Sequence, residues 1–249
     1  EICACLVGSE MCIRDRGYGY LDVSAGFETR LTTMVQLLTR RVKGVTKDTL
    51  RYTYDNNGNI TAIRNGPGTE YYAKYTYDGL NQLIGFTDGE TTASYKYNAS
   101  GLRYEKTVNG ETINHVWDGS KQIIADVIDN QFYEADCYIR GTNLVAKYNY
   151  WNGDKSEYTY YTQNAHGDVV NLTDKDGKVT KSYRYDAFGV EKDIDDSDTN
   201  AFRYCGEYYD KETATVYLRA RNYNPSTGRF ISRDSYAGKN EEPLSLNKY

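Results

Sequence analysis

The 249-residue chain is short of several ordinary ingredients: it has three prolines, two methionines, two tryptophans and two histidines. Imidazole chemistry therefore has little material. His115 takes an aromatic position in a repeated motif and His166 precedes Gly167 in a turn, so both read as structural. No Gly-x-Ser-x-Gly, phosphate loop or dinucleotide fingerprint occurs. No run approaches the roughly 18 apolar residues of a membrane-spanning helix. No signal peptide is visible, which leaves export undecided. The net charge of −5 provides no basic stripe to displace counterions, which argues against nucleic acid as the main partner. Of five cysteines, Cys3, Cys5 and Cys12 crowd the first residues, leaving Cys137 and Cys205 for at most one disulfide.

Tyrosine is abundant instead, at 27 residues, with 14% aromatics in all. Hydrophobic content is 39% and mean hydropathy −0.76, low for a compact globule of this size. Disordered chains are aromatic-poor, so disorder does not fit. A thin sheet does, wetted on one or both sides, where tyrosine buries its ring and keeps its hydroxyl in water. Length alone allows one domain or two.

Residues 1–16 stand apart, holding three cysteines, one methionine and no tyrosine. The string CLVGSEMCIRDR resembles a translated adapter read, and the segment is set aside as non-native. Cys3, Cys5 and Cys12, with no nearby histidine, match zinc spacing poorly. In residues 22–45, Phe27, Leu31, Met34, Val35 and Leu38 allow a short helix, but strand is the favoured reading.

From Tyr52 the chain repeats. Units begin at Tyr52-Thr53-Tyr54-Asp55, Tyr75-Thr76-Tyr77-Asp78, Tyr95-Lys96-Tyr97-Asn98 and, degraded, His115-Val116-Trp117-Asp118. On the second aromatic the steps are 23, 20 and 20 residues, and a further copy lies at Tyr183-Arg184-Tyr185-Asp186. Aromatics at i and i+2 share one strand face, and the following Asp or Asn can start a turn through its own backbone. Gly58, Gly79, Gly101, Gly119 and Gly189 are expected to supply positive φ. Residues 102–108 return as a strand and meet Asn109-Gly110, a strong hairpin signal. Each unit is about one hairpin and gains burial only against its neighbours. The tyrosines thus read as cross-strand ladders. A glycan-binding platform is the functional alternative, though Trp117 and Trp151 are its only tryptophans.

Residues 202–234 pack Tyr204, Tyr208, Tyr209, Tyr217 and Tyr223 among Arg203, Arg219, Arg221, Arg229 and Arg233. Alternation over 215–223 predicts one strand, with Thr215, Tyr217, Arg219, Arg221 and Tyr223 on an aromatic-cationic face. Val216, Leu218 and Ala220 take the other. A second strand is expected from Phe230 to Asp234.

The run YYDKETATVYLRARNYNPSTGRFISRD resembles the RHS-repeat-associated core domain, and the tyrosine units resemble the YD repeat. The likeness covers about residues 52–249, including the connectors 138–144 and 164–170. It implies an all-β fold: a spiral sheet of repeat hairpins forming a shell around a C-terminal effector, as in polymorphic toxins, Tc-toxin C components and teneurins. The implied organisation is a degraded repeat or linker at 17–51, YD repeats at 52–159, and the last repeat with the core domain at 160–249. Ala214-Thr215 stands where the family has Gly-Leu, so the first core turn is open to change.

The resemblance also implies self-cleavage at an Asp-Pro-x-Gly motif, with Arg233 and Asp234 helping to build an aspartate site. Two close carboxyl groups cannot both ionise, so one keeps a proton as general acid. Neighbours on a strand face opposite ways, so Arg233 and Asp234 share a site only where the strand kinks, whereas Arg229 and Arg233 could share a face. That motif does not occur in these 249 residues, so no cleavage by this chain is expected. Asp196, Asp198, Asn200 and Glu207 fit a calcium-loop register, but Ala201 occupies its glycine position, and the run reads as a solvated loop. No cofactor or metal is expected. The implied partners are the chain's own effector and an immunity protein or secretion component, on a secreted or surface-borne bacterial protein. Glycan-binding adhesin and aspartyl autoprotease are the rival functions.

Overall fold

In the computed structural model the described residues are 36–42, 45–65, 71–128, 134–151, 153–234 and 236. Expectations for residues 1–35 and for 237–249 lie outside them. The chain divides into two compact units, one of residues 1–92 with 228–249 and one of 93–227. Both are all-β, and the described residues contain no α-helix, only a 3-10 turn at Tyr204–Gly206.

In the first unit, β1 (Gln36–Val42), β2 (Val45–Tyr54), β3 (Ile60–Asn65), β4 (Tyr71–Tyr77) and β5 (Leu83–Thr87) pair antiparallel, each with the one before. The strand reading of the ambiguous segment therefore holds from Gln36. Tyr52 and Tyr75 are buried while Tyr72 and Thr76 face solvent, the two-residue alternation of a sheet with one wet face. The returning chain closes this unit: buried Ile231 accepts a bond at its carbonyl from the Ile60 amide at 2.9 Å.

In the second unit the hairpins continue as β6 (Thr92–Tyr97), β7 (Arg103–Val108), β8 (Glu111–Trp117), β9 (Ile123–Ile128), β10 (Glu134–Arg140) and β11 (Leu144–Trp151). Then follow the two-residue β12 (Asp154–Lys155), β13 (Thr159–Gln163), β14 (Val169–Thr173) and β15 (Val179–Ser182). Neighbours pair antiparallel, with β13 returning to β11 and β12 folded onto the end of β11. A separate small meander of β16 (Tyr208–Asp210), β17 (Thr215–Tyr217) and β18 (Asn222–Asn224) lies in the same unit. The last short strand, β19 (Arg229–Phe230), belongs to the first unit.

The Asp or Asn that ends each aromatic pair builds the same loop every time. Its Oδ1 accepts from the amides two and four residues on: Asp55 from Asn57 and Asn59, Asp78 from Leu80 and Gln82, Asn98 from Ser100 and Leu102. Asp118 and Asp186 do the same. Asn164 and Asp174, which carry no clean aromatic pair before them, build the loop as well.

The left-handed residue sits three places after the Asx. Gly58, Gly101 and Gly189 fill it as expected, with φ of 87°, 75° and 89°. Gly79 and Gly119 do not. They follow the Asp directly, and the left-handed position falls to Asn81 (φ 64°) and Lys121 (φ 60°). The carboxylate bonds fix the loop so firmly that a side chain is tolerated where glycine is natural. Asn109-Gly110, with φ of 51° and 92°, makes the two-residue turn that joins Val108 to Glu111. The copy at Tyr183 differs from expectation. It lies just past β15, held by its amide on the Val170 carbonyl at 2.8 Å, and Tyr185 meets Glu191 in an isolated bridge.

The long strand expected over 215–223 is two strands. Arg219 takes φ 61°, and the Leu218 amide bonds the Arg221 carbonyl at 2.9 Å, so the chain reverses between β17 and β18. Thr215, Val216 and Tyr217 are all buried, so no aromatic-cationic face exists: packing on both sides overrode the alternation. The second expected strand stops at Phe230.

Candidate functional site at the cap of the repeat sheet

In the second unit the apolar face of the hairpins is covered by the chain's own 202–217 segment. Phe202, Tyr208 and Tyr217 form one buried cluster with Ile123, Tyr138 and Leu144. Phe202 meets Tyr138 edge-on at 4.8 Å and Tyr208 at 5.4 Å.

Beneath this aromatic layer lies a fully buried charge cluster. Arg103 of β7 and Asp210 of β16 are both 0% exposed. Arg103 donates from Nη1 and Nη2 to Asp210 Oδ2 and Oδ1 at 2.7 and 2.8 Å, a bidentate fork 107 residues apart in sequence. Lys106, three residues on and brought to the same buried side by the bulge at Tyr104, donates to Asp210 Oδ1 at 3.2 Å and to Glu212 Oε2 at 3.1 Å. The Tyr95 hydroxyl, from β6, donates to Glu212 Oε1 at 2.8 Å. Two cations and two anions thus cancel out of water.

The backbone joins in: the Arg103 amide donates to the Tyr217 hydroxyl at 2.9 Å, and Trp117 Nε1 donates to the Arg103 carbonyl at 2.7 Å. The guanidinium lies 4.2 Å from the Tyr217 ring centroid. Burial opposes the Asp210 carboxylate, but Arg103 and Lys106 outweigh it and move its pKa below the usual 3.8. Burial likewise opposes the charge on Arg103, and Asp210 more than restores it.

A second buried group adjoins it. His115 Nδ1 lies 2.6 Å from Asp126 Oδ1, and the Tyr138 hydroxyl donates to Asp126 Oδ2 at 3.0 Å. The His115 ring stands edge-on to Tyr208 at 5.1 Å. Burial, helped by nearby Arg103 and Lys106, pulls the histidine below its usual 6.5 despite Asp126. It is therefore a neutral donor in a repeat slot, in keeping with its structural reading.

The remaining arginines scatter. Arg203 pairs with Glu191 at 2.7 Å, and Arg219 pairs with Glu207 at 3.0 Å while bonding the Lys121 carbonyl at 2.9 Å. Asp198, from the calcium-like run, serves Arg203 and the Tyr183 hydroxyl. Cys137 and Cys205 are not joined by a disulfide.

Arg233 and Asp234 fall outside this constellation. They lie in irregular backbone after the bend at Ile231–Ser232, Arg233 exposed and Asp234 half-buried, with Asp234 Oδ1 accepting from the Tyr236 amide at 2.9 Å. Arg229 sits in β19 and Arg233 beyond it, so strand periodicity relates neither pair. The charge cluster escaped sequence reasoning. Strict alternation puts Arg103 and Lys106 on opposite faces, and the bulge that brings them together leaves no mark in the residue pattern.

Hairpins that pair only with their neighbours, tied by identical Asx loops and covered by an aromatic-charged cap, define a repeat β-protein of the YD type. The chain belongs to the RHS/YD-repeat proteins: the Teneurin YD-shell family profile matches residues 152–249. It is 36% identical over 211 residues to the tRNA3(Ser)-specific nuclease WapA of Bacillus spizizenii, covering 79% of this chain and 8% of that protein. It is 25% identical over 205 residues to the probable deoxyribonuclease RhsA of Dickeya dadantii, covering 76% of this chain and 14% of the relative. The crystal structure of TcdB2-TccC3-TEV shares the fold at a TM-score of 0.53 and 17% identity, over 80% of this chain and 12% of that one. The chain thus spans a small fraction of the relatives it matches. No helix among the described residues is long and apolar enough to cross a membrane.

Proposed function

We propose that this chain is the closing part of a shell in a secreted or surface-borne, toxin-type bacterial protein, with repeats 52–159 as wall and 160–249 as cap, enclosing a C-terminal effector. The observation that carries this reading is the cap itself: the buried face of the hairpins is covered by an aromatic layer over a neutralised charge cluster. The relatives are consistent with it, since the chain matches only 8% of the WapA nuclease and 14% of RhsA. The test is limited proteolysis of the full-length gene product. The downstream polypeptide should resist protease in the intact protein and be digested once Asp210→Ala loosens the cap. Equal digestion in both would end the encapsulation reading.

Cleavage between shell and effector would use Arg233 and Asp234 within the complete core domain. In a chain carrying the Asp-Pro-x-Gly motif, Asp234→Asn should abolish cleavage as read by intact mass. Continued cutting would remove Asp234 from the mechanism.

A second reading is favoured by one patch. Tyr150 of β11 and Tyr160 of β13 are exposed on one face of the sheet, with Tyr148 and Tyr158 in ring contact at 5.4 Å beside them. Such a surface suits stacking on sugar rings. A glycan array with no hits, or hits unchanged by Tyr150→Ala, would dispose of it.

A further inference from the structure

Where the Asx loop at Asn164 meets the cap, His166, Asp168 and Cys205 present a nitrogen, an oxygen and a sulfur that lie within 4.8 Å of one another. Two turns bring them together. The 164–168 loop holds Asp168 through Asn164, whose Nδ2 donates to Asp168 Oδ2 at 2.9 Å. The 203–206 turn holds Cys205 in the left-handed region at φ 54°. The turns are bolted to each other: the Val169 amide bonds the Arg203 carbonyl at 3.0 Å, and the Cys205 amide bonds Asp168 Oδ1 at 2.9 Å. The seam is tight, since a Cβ on Gly206 would stand 2.9 Å from Gln163 Nε2 and 3.1 Å from the Gly167 carbonyl. The three donors are therefore preset by the fold.

Their geometry separates two chemistries. A thiol–imidazole–carboxylate relay needs the thiol on one ring nitrogen and the carboxylate on the other. Here both converge on Nδ1, with Asp168 Oδ1 at 2.9 Å and Cys205 Sγ at 3.9 Å. Convergence on one nitrogen suits a shared cation. Around tetrahedral zinc, bond lengths of about 2.0 Å to N or O and 2.3 Å to S put the N–O edge near about 3.3 Å and the N–S edge near about 3.5 Å. The observed edges bracket those values within a few tenths of an ångström. The His166 side chain is 36% exposed, which leaves a path in and a fourth position for water.

We propose that His166 Nδ1, Asp168 Oδ1 and Cys205 Sγ form a binding site for a borderline divalent metal ion of the zinc class, stapling the 164–168 loop to the cap. A mixed sulfur, nitrogen and oxygen set disfavours calcium and magnesium, which take oxygen. Asn164 is the outer residue that orients the carboxylate. The site is independent of what the shell encloses.

The test is cobalt(II) titration of the chain with Cys3, Cys5 and Cys12 changed to serine, which removes competing thiols. One equivalent should bind with a thiolate-to-cobalt charge-transfer band in the near ultraviolet, and zinc should displace it. Cys205→Ser should erase the band, His166→Ala should weaken binding, and Asn164→Ala should weaken it by about tenfold to a hundredfold. Cys137→Ser should change nothing. Should the variants fold poorly, maleimide labelling of the unaltered site decides: zinc must protect Cys205 relative to chelator-treated protein. A titration with no charge-transfer band, a band that survives Cys205→Ser, or equal labelling with and without zinc would each overturn the proposal.

Discussion

The hairpin sheet and the small cap meander are both antiparallel β-structure, yet they are held by opposite means. In the sheet, bonds are local and repeated: an Asx side chain and the two amides just beyond it recur at Asp55, Asp78, Asn98 and Asp118 with nearly identical distances. In the cap, bonds are long-range and unique: Arg103 to Asp210, Tyr95 to Glu212, and Arg219 to Lys121 and Gln122 span roughly a hundred residues each. The sheet is redundant, so losing one loop leaves the others intact. Each fastening of the cap occurs only once, so damage there should propagate. Its salt links are also buried, where an unpaired charge is far costlier than at the surface.

The largest test of that contrast is Asp210→Ala. It strands Arg103 and Lys106 without their shared anion and should destabilise the chain by about 3–5 kcal/mol in urea unfolding. A loss under about 1 kcal/mol would mean that water enters the cluster and that cap and sheet are held alike.

Acid should come next. His115 is held neutral by burial, so the unfolded chain accepts a proton that the folded chain resists. That contribution is complete above pH 6.5 and falls as pH drops below it, by at most about 1.4 kcal/mol per pH unit. Asp126 and Asp210, held below 3.8, lose their contribution only under about pH 4. Urea midpoints should therefore decline between pH 6.5 and 5, and less steeply in His115→Gln. A flat profile would show that His115 titrates alike folded and unfolded.

Asp78→Ala removes two loop bonds from the sheet and should cost only about 1–2 kcal/mol, part of the loop being solvated. A cost rivalling that of Asp210→Ala would erase the distinction between redundant and single fastenings. Smallest is Ala214→Gly. Ala214 holds φ 51° in the turn that joins β16 to β17, and glycine there should stabilise by up to about 1 kcal/mol in thermal melting. No gain would place the strain elsewhere in the cap.

Much of the sheet was legible because its causes lie within a few residues. Tyr52, Tyr75 and Tyr95 fall in strands and are buried, and the Asx loops follow them. The glycine reading failed at Gly79 and Gly119 because the loop needs its left-handed residue at a fixed distance from the Asx, a rule that residue type alone does not reveal. The alternation over 215–223 misled because β17 is buried on both faces, so period two carried no information about side. Arg233 and Asp234 were singled out by likeness to a family, and their role awaits the cleavage experiment.

Local chemistry in the sequence decided that this chain is β-hairpins, where each turns and which aromatics point inward, because side-chain alternation and Asx bonding act over two to four residues. Only the tertiary structure decided which charges are buried together, that the chain reverses at Arg219, and that His166, Asp168 and Cys205 meet. Those outcomes depend on which distant surface covers the apolar face, and a buried ion pair is tolerable only where its partner has already been brought within hydrogen-bond reach.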